Sequence, residues 1–64
     1  MTEQEIIKAI SKVEGLGGMT VNERLHVCGL MDEFHKALIL DKEKAKKILE
    51  LLLVDKPSIE KIVK

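Results

Sequence analysis

The chain contains no tryptophan and no tyrosine, and Phe34 is its only aromatic residue. Any core it builds is therefore aliphatic, filled by Ile, Leu, Val and Met rather than by stacked rings. A single cysteine, Cys28, excludes an intramolecular disulfide, and no grouping of Cys and His has the spacing of a structural zinc site. Excess charge of either sign is missing too, since eleven basic and eleven acidic residues cancel to a formal net charge of zero. The sequence-independent pull toward a phosphate backbone is thus absent, and so is an electrostatic barrier between copies of the chain. Lys42, Lys44, Lys46, Lys47 and Lys56 cluster in the second half, but Glu43, Glu50 and Asp55 interleave with them, the pattern of a solvated helix face. No apolar run approaches the ~20 residues of a membrane span. The start, Met1-Thr2-Glu3-Gln4-Glu5, is acidic where a signal peptide is basic. With the free thiol, these features lead to the expectation of a cytoplasmic protein that has no nucleic-acid or membrane partner.

What the chain does have is helical periodicity bounded by caps. Thr2 followed by Glu5 is a capping box, and Ile6, Ile7, Ala9, Ile10 and Val13 recur at three- and four-residue steps, giving a first helix that stops near Glu14. Gly15 suits a left-handed helix end, with Leu16 folding back on the last turn. Gly15-Leu16-Gly17-Gly18 lacks the strand and lysine of a phosphate loop and reads as a plain turn. A second capping box, Thr20 to Glu23, opens what reads as one long central helix, residues 21–40, around which the other segments pack. At ~100° per residue Val27, Leu30, Met31, Phe34, Ala37 and Leu38 form its core stripe. Val21, Leu25, Cys28, Asp32, His35 and Ile39 form a second line on the opposite side. Asp41 caps a third helix, Lys42 to Val54, with Ala45, Ile48, Leu49 and Leu52 inward, and Pro57 starts a short last one with Ile59, Ile62 and Val63 on one side. The expected fold is a single all-α domain, a small bundle of about four helices.

Met19-Thr20-Val21-Asn22-Glu23-Arg24-Leu25, followed by Gly29-Leu30-Met31-Asp32-Glu33-Phe34, resembles a family of short uncharacterised bacterial proteins. Their pattern is M-T-V-N-E-R-L, three variable residues, then G-L, an apolar residue and D-E-F-D. The resemblance is strong over about a third of the chain and implies a small helical protein with no assigned chemistry. Three departures stand out: His26 where the pattern has an aromatic residue, His35 where it has an aspartate, and an unusually apolar Ala37-Leu38-Ile39-Leu40. They look like an engineered derivative in which one helix face has been rewritten.

Cys28, Asp32 and His35 raise two chemical readings. A thiol nucleophile needs a base within about 3 Å, and Asp32 is placed to orient the His35 imidazole. Cys28 and His35, however, lie two turns apart, about 10.5 Å along a helix, so a dyad within one helix is disfavoured. Cys28 and Asp32 have the four-residue spacing of two ligands on one helix, with His35 as a strained third. His26 projects away from His35 and reads as a partly buried ring. Two function classes follow. The first is an interaction scaffold that binds a protein partner or itself, as a homodimer, through Leu25, Cys28, Asp32, His35, Ile39 and Leu40. The second is a designed thiol or metal site at Cys28 and His35, for ester hydrolysis or zinc binding. No cofactor is implied.

A single core of this size leaves about 3–5 kcal/mol of net stability. Replacing Phe34 by alanine is predicted to remove about 3–5 kcal/mol, so that the variant is largely unfolded. Thermal melts followed by circular dichroism check this, and an unchanged midpoint would take Phe34 out of the core.

Overall fold

Helix starts follow directly from short side chains that accept backbone N–H groups. The Thr2 hydroxyl accepts from the Glu5 N–H at 3.2 Å while the Glu5 carboxylate accepts from the Thr2 N–H at 2.8 Å, and Thr20 and Glu23 repeat the exchange at 3.2 and 2.9 Å. The donated bonds hold both glutamate carboxyls below their ordinary values. Asp41 accepts from the Lys44 N–H and Asp55 from the Ser58 N–H, with Pro57 in the first turn beyond it. Each cap satisfies an amide that a helix start otherwise leaves unpaired.

In this computed structural model, which describes all 64 residues, those starts open four of five α-helices: α1 Glu3–Ser11, α2 Val21–Val27, α4 Lys42–Leu51 and α5 Lys56–Ile62. The fifth, α3, spans Met31–Leu40 and has no side-chain cap, and a short 3-10 turn, Leu16–Gly18, leads into α2. The chain is all-helical, as expected. The single long helix over residues 21–40 is not there, because the chain breaks at Cys28-Gly29-Leu30. Gly29 adopts a left-handed conformation with φ of 70°. Its N–H donates to the His26 carbonyl at 3.1 Å, and the Leu30 N–H donates to the Leu25 carbonyl at 2.9 Å. These are the two bonds of a Schellman motif, which closes a helix and turns the chain. Leu25 and Leu30, whose backbones it joins, are 1% and 0% exposed.

The same closure ends α4. The Leu53 N–H donates to the Glu50 carbonyl and the Val54 N–H to the Leu49 carbonyl, both at 3.0 Å, but the left-handed residue is a leucine, with φ of 65°. α1 also stops earlier than its periodicity suggests, at Ser11, where the Val13 N–H takes the Ile10 carbonyl. Gly15 is left-handed and Leu16 buried, as read from the sequence.

The hub of the fold is α4, not the 20–40 stretch. It packs against α3, α5 and α1, while α2 packs on α3. Its inward residues Ala45, Ile48 and Leu49, and Leu52 at its cap, are all 0% exposed. Phe34 and Ala37 of α3 meet this core, together with Leu25, Cys28, Ile6, Ile59 and Val63. Val27, expected in the core stripe, lies outside it and is exposed. Arg24, the single arginine, ties the end of α4 to the start of α2: its Nη1 donates to the Leu52 carbonyl at 2.9 Å and its Nε to the Met19 carbonyl at 3.1 Å. A cation on the last carbonyls of a helix also complements its dipole. Lys44 of α4 meets Glu33 of α3 at 2.6 Å and fastens the α3–α4 hairpin at its other end.

The two Schellman turns make opposite predictions. A Cβ at Gly29 meets nothing within 4 Å, so Gly29→Ala is strained only through its backbone and should lose about 1 kcal/mol. Leu53→Gly relieves the same strain and should gain up to about 1 kcal/mol, raising the melting temperature by about 4–8 °C per kcal/mol. Differential scanning calorimetry of both variants tests the pair, and a loss at Leu53→Gly would contradict the left-handed assignment there.

Candidate functional site

The break at Gly29 separates the residues that helical spacing had placed on one line. Leu25 and Cys28 belong to the buried side of α2 and are 1% and 8% exposed, which removes both from any partner surface. Asp32, His35, Ile39 and Leu40 lie on the open side of α3. Extending a 100° step across the turn carried the inner face of one helix onto the outer face of the next. Of the six candidate contact residues, these last four remain accessible.

The same break dissolves Cys28, Asp32 and His35 as a chemical set. Cys28 is the last residue of the α2 closure, its N–H bonded to the Arg24 carbonyl at 3.2 Å, and burial pushes its thiol above the ordinary value. An activated thiol nucleophile needs the opposite shift. No three His, Cys, Asp or Glu side chains gather where they could hold a metal ion. Nothing in this arrangement supports the thiol-dyad and zinc readings of Cys28, Asp32 and His35.

What the turn does assemble is an open groove between α2 and α3, about 700 Å³ in volume, lined by Met19, Asn22, Glu23, His26, Val27, Met31 and His35. His26, expected to project away from His35, lines the same groove. Folding α3 back against α2 at Gly29 brings the two imidazoles to one side of the molecule. Val27 is 47% exposed and Met31 half-buried, so the apolar surface of the groove is accessible. Glu23 is already engaged, its carboxylate accepting the Thr20 N–H at 2.9 Å. The Met19 carbonyl accepts from Arg24, which fixes the entry to α2. The His35 ring lies 6.1 Å from that of Phe34, its helix neighbour, at a tilt of 48°.

Beyond the groove, α3 carries Met31, His35 and Ile39 at successive four-residue steps, a single line along the helix. Ile39 is 82% exposed and Leu40, next to it, 72%. The groove residues Met19, His26 and Met31 were legible only to a reading that ends a helix at Gly29, because the facing sides of α2 and α3 appear once the turn is in place. Comparison with protein-family models, with curated proteins and with solved structures finds no match.

The position of Cys28 predicts slow, featureless thiol chemistry. Alkylation by iodoacetamide should run well below the rate of a free thiol at pH 7 and should rise with pH only toward and above the ordinary 9.0, because the raised pKa keeps the thiol protonated. An inflection between pH 5 and 7 would restore Cys28 as a reactive thiol.

Proposed function

We propose that this chain is a small helical interaction module, and that its contact surface is the α2–α3 groove continued along α3 through His35 to Ile39 and Leu40. The partner is another protein chain, in the simplest case a second copy. The observation that carries this reading is the exposure of Ile39 and Leu40, at 82% and 72%, in line with an accessible apolar groove. Burying such a side chain is worth about 1.5–3 kcal/mol, a gain that nothing within the chain collects.

The groove chemistry supports a protein partner over an enclosed small ligand. Methionine is unbranched and polarizable, so Met19 and Met31 can repack around an apolar helix face, the mode in which amphipathic helices dock into grooves. The zero net charge leaves copies of the chain free to approach one another. A standard interface covers about 800 Å² per partner, roughly a fifth of this molecule's 4435 Å² of accessible surface. Ile39 and Leu40 alone do not reach that area, so the contact must take in the groove as well. An engineered origin for His26, His35 and the apolar stretch 37–40 belongs to the same proposal, since all of them except the buried Ala37 and half-buried Leu38 lie on this side or at its end.

Ile39→Lys places a charge where a partner would bury it, while an ammonium left in water costs little. Sedimentation velocity over a range of concentrations should show reversible association of the parent and a monomer for the variant, with identical far-ultraviolet circular dichroism. A parent that sediments as a monomer throughout contradicts self-association, and a variant that loses helicity contradicts an exposed Ile39.

A further inference from the structure

The groove between α2 and α3 holds both of the chain's histidines and two of its three methionines. We propose that Met31, His35 and His26, with Met19 as an additional donor, form a binding site for a soft monovalent cation of the Cu(I) class. Met31 and His35 are four residues apart on α3, which sets their Cβ atoms about 5–6 Å apart on one face, the arrangement by which two side chains of one helix share an ion. His26 lines the groove from α2, on the other side of the Gly29 turn, so the donors come from two elements.

The donor set selects the ion. Thioether and imidazole are neutral, and thioether is a soft ligand that favours Cu(I), whereas calcium and magnesium require oxygen donors. The single carboxylate in the groove, Glu23, is turned to the Thr20 N–H and closes its helix cap. Two thioethers and two imidazoles outnumber that one carboxylate, whose Oε1 is held by the cap, and such a donor set suits a monovalent soft cation better than a hard divalent one. Cys28, otherwise the strongest soft ligand in the chain, is buried in the core and is not part of the groove lining. Binding involves no redox step, and a partner chain docked in the same groove would compete with the ion for Met19 and Met31.

Ag(I), an air-stable ion of the same class, is titrated into the dilute chain while the methionine ε-methyl and histidine ring resonances are followed by NMR. The Met19 and Met31 methyls and both imidazoles should shift together and saturate at one equivalent, while Met1, outside the groove, stays unmoved. Anaerobic competition for Cu(I) against a chromophoric chelator then gives the affinity. Losing even an outer-shell partner of a metal ligand costs about 10–100-fold, so Met31→Leu and His35→Ala should each weaken binding by at least about tenfold. Cys28→Ala should bind like the parent. Met31→Leu conserves volume, and circular dichroism confirms that each variant is folded. A shift of Met1 equal to that of Met31, binding lost in Cys28→Ala, or full affinity in the Met31→Leu/His35→Ala double variant would each overturn the site.

Discussion

The left-handed turn at Gly29 is the constraint on which the rest of this structure depends. Two hydrogen bonds, from Gly29 to His26 and from Leu30 to Leu25, end α2 and redirect the chain into α3. Leu25 and Leu30 are five residues apart, which in a continuous helix would set them about 140° apart around the axis. With the turn in place both are essentially fully buried. A backbone conformation that glycine adopts without a Cβ penalty thus converts one two-faced amphipathic segment into two one-faced helices. Each then has a single side to bury, which suits a chain too small to cover both sides of a long helix.

Around that turn, α4 supplies the centre and the caps supply the limits. Three inward residues of α4 and its cap residue Leu52, all fully buried, face α3, α5 and α1, so much of the aliphatic packing passes through this one short element. Arg24 and the Glu33–Lys44 pair then lock the two ends of α4 to the α2–α3 unit. Leu53 is the discordant note. It occupies the position that Gly29 fills in α2, yet it carries a side chain that is 72% exposed and makes the left-handed backbone costly. Nothing within the chain accounts for a leucine there.

Much of this was legible in the amino-acid sequence, and the failures have one source. The boxes at Thr2 and Thr20, the Asp41 cap, the place of Pro57 and the whole inward face of α4 follow from local chemistry, and local chemistry decides them. Gly29 escaped because an isolated glycine within an apolar period is tolerated in a helix at about 1 kcal/mol, and the periodicity runs through it unbroken in appearance. Val27, Leu25 and Cys28 were all assigned by carrying one helical phase across that point, and all three came out on the wrong side. Leu53 left no mark at all, since a leucine is not expected at positive φ. The candidate site inherited the same error. His35 and Ile39 were recognised, but His26 was placed away from them, and Met31 was read as core.

The functional reading rests on the same turn, because the groove with its two histidines exists only if α3 folds back against α2. Backbone NMR of the intact chain tests this most directly. The account predicts a positive φ at Gly29 from its coupling constants, an interruption of helical Cα shifts across residues 28–30, a protected Leu30 amide, and close contacts between the Leu25 and Leu30 protons. Uninterrupted helical shifts from Val21 to Leu40, with the Leu30 amide bonded to His26 in the ordinary helical register, would contradict it.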